Sequence, residues 1–366
     1  MQKLKLAYFG SPSFSADFLE KIILDKTLPV EVVLVITQPD KPVGRKQILT
    51  PSPVKVVAQK YNIANREIGG IRGQGSRHAR IPPLAGEHWR EGNEWQNLLS
   101  GINIALVYAY GEIIPKDILS FPKYGFWNIH PSLLPLYRGA SPIAYPLILG
   151  DKETGVSLML MDDKMDHGPL LAQEKMSIFP THTRIDLEIK LTNIGFKLFK
   201  NVILNLFQDP NPIKMLKPLQ GKQVRHDKTQ NHTQATYTYR FKKSDGYIAI
   251  GTLKKMLENE TISIEKLPIF LQTYLAKYIK SSQEQNLILN SKFLILNLFR
   301  SLSPWPGIWT IVTINSIKKR LKITEMKIVD GKPTITKVQL EGKNPVDMIT
   351  FNRAYPSIIL TTIIKY

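Results

Sequence analysis

"KLKLAYFGSPSFSADFLEKIILDKTLPVEVVLVIT" (Lys3–Thr37) sets two apolar runs of strand length on either side of a stretch with helical spacing. "KLKLAYF" (Lys3–Phe9) is short and apolar, and Gly10-Ser11-Pro12 makes a turn. Ser15–Lys26 then brings apolar residues back near every 3.6 positions, the mark of one buried helix face. Val30–Thr37 is a β-branched run with little alternation, as expected of a strand buried on both faces. The pattern continues: "SPVKVVAQKYN" reads as a helix with Ser52 at its N-cap and Pro53 at its first position. "NIALVYAY" (Asn103–Tyr110) and "GFWNIH" (Gly125–His130) are two more strands. Strands separated by helical segments predict an open, mostly parallel α/β sheet, whose ligands sit beyond the carboxyl ends of the strands. Gly10, Gln38, Tyr110 and His130 fall at those ends.

The chain has 366 residues, more than one usual domain, and its 43% hydrophobic and 22% charged residues suffice for packed cores. The longest predicted helix is Thr183–Phe207, with Thr183 as its N-cap. Gln208–Gln234 loses periodicity and gains Pro, Gln, Asn and Lys, a linker composition. From Ala235 onward come short β-like pieces: "TYTYRF", "YIAIGT", "IWTIVTI", "RLKITEMKIV" and "TITKVQL". A helical segment at Ile264–Ile279 interrupts them. Many short strands in this span predict a small β-barrel. The expected organisation is a domain over 1–207, a linker over 208–234 and a second domain over 235–366.

The absence of cysteine excludes disulfides and Cys-based metal sites, and it fits a reducing cytoplasm. No long apolar run precedes the first Gly, so no signal peptide is expected. No window reaches the roughly 18 uninterrupted apolar residues that span a bilayer, so the expected protein is cytoplasmic and without a membrane partner; nothing in the sequence speaks to oligomeric state, and a monomer is the default expectation. The formal net charge is +19 and it is unevenly placed. Residues 201–366 hold 25 Lys and Arg against 11 Asp and Glu, a net of +14; residues 1–200 hold 24 against 19. A basic second half points to a polyanionic partner, most often nucleic acid, although a general Lys-rich bias also raises charge. The stretch Arg66–Glu94 has a foreign composition: five of the chain's thirteen arginines, six glycines and no lysine. It reads as an inserted surface loop dispensable for chemistry, with RNA contact through its arginines as the other reading.

"WNIHPSLLPLYRGASP" (Trp127–Pro142) carries the chemistry. On a strand, residues two apart share a face, so Asn128 and His130 can meet one ligand. An Asn amide can donate to a developing oxyanion, and an imidazole can accept a proton near neutral pH. Together they suit acyl transfer to an amine, but an Asn-x-His at a strand end, taken alone, is more often a turn residue beside a surface histidine. The two prolines and the glycine that follow hold a loop able to wall a pocket. In "GDKETGVSLMLMDDKMDHGPLLAQ" (Gly150–Gln173), Asp166 is the candidate to orient His130 and stabilise its imidazolium form. The same acidic cluster would also suit a solvated turn, and His167 reads as an exposed turn residue.

With these residues in view, the chain resembles the 10-formyltetrahydrofolate-dependent formyltransferases, and most closely their tRNA-acting branch. The likeness rests on "NIHPSLLPLYRGASPI", "GDKETGVSLMLMD", "MDHG", "FGSPSFSADFLEKI", "VITQPDKPVGR", "TPSPVKVVA", "VYAYGEIIP", "ATYTYRF", "RSLSPWPGIWT" and "QLEGKNPVDMITF". It implies a Rossmann-like N-terminal domain that binds folate and an OB-like C-terminal barrel that helps hold tRNA. It also implies transfer of a formyl group from 10-formyltetrahydrofolate to the α-amino group of methionyl initiator tRNA, with no metal. By match to the motif, Asn128, His130 and Asp166 would be catalytic. The folate pocket would take in Tyr110, Gly111, Ser132, Leu133, Leu134 and Pro135, and the loop with Lys41, Arg45 and Lys46 would enter the tRNA acceptor end. Leu136, Lys164, His167 and Pro169 depart from the usual pattern, which bears on the shape of the pocket. The competing readings are a formyltransferase acting on a small amine, such as a nucleotide or amino sugar, and an RNA-binding protein with a decayed site.

Overall fold

The computed structural model describes residues 3–44, 46–68, 93–208, 229–289 and 293–358. The chain divides into two compact units. The first holds Met1–Arg138, Thr154–Met176 and Glu188–Ala235; the second holds Gly139–Glu153, Ser177–Leu187 and Thr236–Tyr366.

The first unit is built on seven strands: β1 (Leu4–Gly10), β2 (Val30–Thr37), β5 (Ala64–Glu67), β6 (Ile104–Tyr108), β7 (Phe126–His130), β9 (Glu153–Leu160) and β10 (Leu170–Ser177). Their order across the sheet is β10-β9-β7-β6-β1-β2-β5. The five strands β7, β6, β1, β2 and β5 run parallel, while β9 pairs antiparallel with β7 through Asn128↔Met159 and His130↔Ser157. The short β3 (Lys41–Val43) and β4 (Ile48–Thr50) form an exposed antiparallel hairpin beyond β2. Two-residue strands β8 (Arg138–Gly139) and β11 (Tyr237–Thr238) complete the set before the second unit's sheet.

The two-residue strand period sorts the core onto two faces. Phe9, Tyr110 and Phe126 meet on one face, with ring centroids 5.2–5.6 Å apart. Tyr8, Tyr108 and Trp127 lie among Phe18 and Phe199 on the other. Phe18 comes from α1 (Ser13–Leu24) and Phe199 from α5 (Arg184–Gln208), so these helices cover that face. The start of α5 is set by a reciprocal cap: Asp186 Oδ2 accepts from the Thr183 backbone N–H at 2.8 Å, and Thr183 Oγ1 accepts from the Asp186 N–H. In α2 (Pro53–Lys60), Ser52 accepts from the Lys55 N–H at 3.1 Å, and Pro53 opens the helix as the sequence predicts. Of the segment read as an inserted loop, Arg66 and Glu67 belong to β5, and Asn93 and Glu94 open α3 (Asn93–Leu98). Ile68, which follows β5, is buried, and 69–92 lies outside the described residues.

The second unit holds a four-stranded antiparallel sheet, β12 (Trp309–Ile314), β13 (Ile317–Val329), β14 (Lys332–Leu340) and β15 (Val346–Asp347), in that order. This is the strand content of a small barrel-like domain. Helices take more of this unit than expected. "YIAIGT", read as a strand, instead ends in α6 (Ile250–Leu257), which buries Leu253, Met256 and Leu257 at helical spacing. A short apolar run does not declare its period, and packing decided for helix. α7 (Ile269–Tyr278), α8 (Ser282–Leu289) and α9 (Leu294–Leu302) follow. α4 (Ala144–Leu149) belongs here because Tyr145 is buried against Phe241, Phe270 and Tyr274. Arg300 donates to the carbonyls of Phe179, Pro180 and His182, which ties Ser177–Leu187 to α9. α10 (Met348–Ala354) closes the described chain, capped by Asp347 on the Thr350 N–H at 2.8 Å. Among the described residues no helix is long and apolar enough to cross a membrane.

Candidate active site

The parallel register brings the carboxyl ends of β1, β2, β6 and β7 to one edge of the first unit: Phe9 pairs with Ile36, Gly10 with Tyr108, and Val107 with Asn128. Polar side chains stitch the loops leaving that edge. Ser11 Oγ donates to the Tyr110 carbonyl at 3.1 Å and accepts from the Gln38 N–H at 3.2 Å. Gln38 Nε2 donates to Glu112 Oε1 at 2.9 Å, and Lys41 Nζ donates to Gln38 Oε1 at 2.5 Å. Lys55 grips Asp40 at 2.9 Å and Glu67 at the root of the β3–β4 hairpin. Burial pulls the Lys55 ammonium's pKa down, but the two carboxylates outweigh it and hold it above its usual value.

Asn128 and His130 leave the end of β7 on the face that carries Phe126, opposite Trp127 and Ile129. Both are buried, at 9% and 4% exposure, as a solvated pair would not be. The loop between β9 and β10 returns toward them. Asn128 Nδ2 donates to Asp166 Oδ1 at 3.2 Å, and His130 Nδ1 lies 3.6 Å from the same oxygen. The first is a hydrogen bond; the second is a charge contact too long to be one. On the far side of the ring, His130 Nε2 stands 2.9 Å from the Tyr137 carbonyl oxygen. A carbonyl only accepts, so Nε2 carries a proton, and in the neutral ring Nδ1 is the basic nitrogen. The bare nitrogen therefore faces the carboxylate and the Asn amide. Asp166 holds this place in a left-handed backbone conformation, φ 49°, which is uncommon for a residue with a side chain.

The loop after His130 closes on itself. The Ser132 hydroxyl donates to the Leu136 carbonyl at 2.7 Å, and Leu134–Pro135 is cis. Ser157 Oγ donates to the Ser132 carbonyl at 2.7 Å and accepts from the Leu134 N–H at 3.0 Å. Gln173 Nε2 donates to the Leu134 carbonyl at 2.9 Å. Ser132 and Leu134 are thus buried, and Leu133 and Pro135 half-buried. Tyr110 is buried with its hydroxyl on the Ile68 carbonyl, and burial pushes its pKa well above the usual tyrosine value. Gly111 is exposed at φ 85°. Lys41 and Lys46 are exposed on the hairpin, and Arg45 lies outside the described residues.

Several participants were not singled out by sequence reasoning. Arg138, 1% exposed, donates through Nε and Nη2 to Gln230 Oε1 at 3.2 and 2.5 Å, and Gln230 lies in the stretch read as linker. The signal available for Arg138 is its place in "LYRG", at the end of the proline-bearing loop that follows His130; Gln230 has none, sitting in a Gln-, Asn- and Lys-rich run. His167 is not the exposed turn residue expected. It is half-buried, its Nδ1 is 2.6 Å from Asp162 Oδ2, and its ring stacks on His232 with centroids 3.9 Å apart. Desolvation, then the neighbouring His167 and Arg138, push the His232 pKa below its usual value. This agrees with His232 Nδ1 accepting from Arg138 at 2.9 Å.

An amide donor and an imidazole, each within 3.6 Å of one carboxylate oxygen, can with that carboxylate hold an oxyanion, take a proton and stabilise the resulting cation. Comparison with known proteins agrees with that chemistry. The family model described as Formyl transferase matches residues 4–203. A methionyl-tRNA formyltransferase of Caldicellulosiruptor saccharolyticus is 34% identical over 327 residues, covering 89% of this chain and 80% of its own. One of Chloroflexus aurantiacus is 34% identical over 266 residues, covering 72% and 74%. Among solved structures, an N-formyltransferase from Helicobacter canadensis in complex with folinic acid and dTDP-3-aminofucose is 18% identical with a TM-score of 0.47, over 92% of this chain and 94% of that one.

Proposed function

The chain belongs to the formyl transferase family, and from that premise we propose that it moves the formyl group of 10-formyltetrahydrofolate to the α-amino group of methionine on initiator tRNA, in the cytoplasm. The observation that carries this is the convergence of Asn128 and His130 on one oxygen of Asp166 at the carboxyl edge of the sheet. The tRNA as acceptor is supported by its relatives' activity and by a net charge of +14 over 201–366, 25 basic against 11 acidic residues.

An α-amino group has a pKa of about 7.7–8.0, so it must shed a proton before or during attack on the formyl carbon. His130 Nδ1 is the base, because Nε2 is committed as a donor to the Tyr137 carbonyl. Asp166 stabilises the imidazolium that forms. The carbonyl oxygen of the formyl group gains charge as the tetrahedral centre forms, and Asn128 Nδ2 stabilises it. That nitrogen carries two hydrogens, and the bond to Asp166 uses one. When the centre collapses, the C–N bond to N10 of the folate breaks and the proton on His130 returns to the leaving nitrogen. Tyr110, Gly111 and the loop Ser132–Pro135 line the folate side, and Lys41, Arg45 and Lys46 meet tRNA phosphates. The test is formyl transfer from 10-formyltetrahydrofolate to methionine-charged initiator and elongator tRNA, with His130→Ala alongside. Transfer to the initiator alone, abolished by the substitution, is expected; tRNA binding without transfer would leave an RNA-binding protein.

A further inference from the structure

We infer that Gln230 is a positioning residue for the reaction, a clamp that fixes the loop bearing Asp166 and so sets the distance from its carboxylate to His130 and Asn128. The inference rests on the proposed part of Asp166 in formyl transfer. Gln230 is 4% exposed. Its Nε2 donates to two backbone carbonyls, Asp166 at 3.0 Å and Gly168 at 2.7 Å. Its Oε1 accepts from Arg138 Nε and Nη2. The orientation of the amide follows from chemistry alone: carbonyls only accept and a guanidinium only donates. Both hydrogens and both lone pairs are thereby used, and a fully satisfied buried network specifies one geometry.

The clamp acts where the backbone needs it. Asp166 sits in the left-handed region at φ 49°, which is unfavourable for a residue with a side chain and relaxes unless its surroundings hold it. Gly168 is pressed so closely on the end of β9 that an added Cβ would stand 2.0 Å from the Leu160 carbonyl oxygen. One side of the loop is thus held by β9 and the other by Gln230. Neither of its nearest chemical relatives does the same. Asn is one methylene too short to span from Arg138 to both carbonyls. Glu would keep Arg138 but present a second acceptor to two carbonyls. The residue sits in the stretch that leads out of the first unit, five positions before that unit ends at Ala235.

Gln230→Glu separates positioning from general stability, because it retains a partner for Arg138 and removes only the tie to the loop. Gln230→Glu and Gln230→Leu are each expected to lower kcat about 10- to 100-fold, the scale of an ångström-level misplacement, with KM for either substrate within about 3-fold. In an Asp166→Ala background the same substitutions should cost less than about 3-fold more, since residues acting through one another are not additive. Wild-type kcat in both variants, a loss confined to KM, or the full loss repeated on top of Asp166→Ala would overturn the inference. Should Gln230→Leu fail to fold, Gln230→Glu carries the test. A readout without substrate separates this from the proposed reaction: in the free protein, the His130 ring resonances of Gln230→Glu should move in the direction seen for Asp166→Ala. Unmoved resonances would sink the clamp. Moved resonances in a protein that transfers no formyl group would sink the reaction and keep the clamp.

Discussion

Gly168 offers a test of how finely Asp166 must be placed. In Gly168→Ala the new Cβ would lie 2.0 Å from the Leu160 carbonyl oxygen and 3.1 Å from its carbon. A carbon–oxygen contact settles near about 3.3 Å, so the loop and the end of β9 must part by about 1.3 Å. Neither atom is the end of a flexible side chain, and the backbone bond from the Leu160 N–H to the Pro169 carbonyl, 3.0 Å, opposes the separation. The cost in stability is that of overpacking, about 1–3 kcal/mol. Asp166 lies two residues away with its carboxylate 3.2 Å from Asn128 and 3.6 Å from His130, so the displacement reaches the site. A misplacement of about 1 Å costs roughly 10²-fold in rate, and that loss should appear in kcat. The assay is steady-state formyl transfer beside a thermal melt. A lower melting temperature with kcat unchanged would refute the idea that this loop sets the position of Asp166. No change in either would refute the close approach itself.

Asn128→Ala should lower single-turnover transfer about 10²–10³-fold, the usual loss of an oxyanion donor, while the affinity for tRNA holds. Lys41→Ala with Lys46→Ala should weaken tRNA binding at all sequences and flatten its salt dependence by about two counterions, with KM for the folate unchanged; binding measured across salt concentrations checks it. Asp25, at the end of α1, pairs with Lys200 of α5 at 2.6 Å, and that bond, then those from Thr27, holds its carboxyl below its usual pKa. Lys200→Met should therefore cost about 0.5–1 kcal/mol at neutral pH. A depressed carboxylate stabilises the fold above its unfolded pKa, about 3.9, and that contribution is lost as pH falls through the folded value. Denaturation curves of the two proteins should draw together as pH falls below the unfolded pKa and through the folded one, and a gap that stays constant over that fall would rule the pairing out.

The α/β sheet was legible because its signals are local. Val30–Thr37 is β-branched along its length, Ser52-Pro53 opens a helix, and Thr183 starts the longest one, each by interactions within a few residues. Asn128 and His130 were legible for the same reason: a strand repeats every two residues, so sharing a face follows from spacing alone. The helical share of the second unit was not. Tyr247–Thr252 is apolar and short enough for either period, and the neighbours that bury Leu253 and Met256 decide. Asp166 stood out in its acidic cluster as the candidate to orient His130, but the geometry of that contact comes from elsewhere. It depends on β9 returning antiparallel to β7, on a left-handed residue, and on Gln230, 64 positions further along, in a stretch whose composition announces only a linker. Composition and period determine which segments become strands and helices and which side chains share a face. Only the tertiary structure decides which distant backbone carbonyl a buried amide will hold, because that depends on where the chain has already been placed.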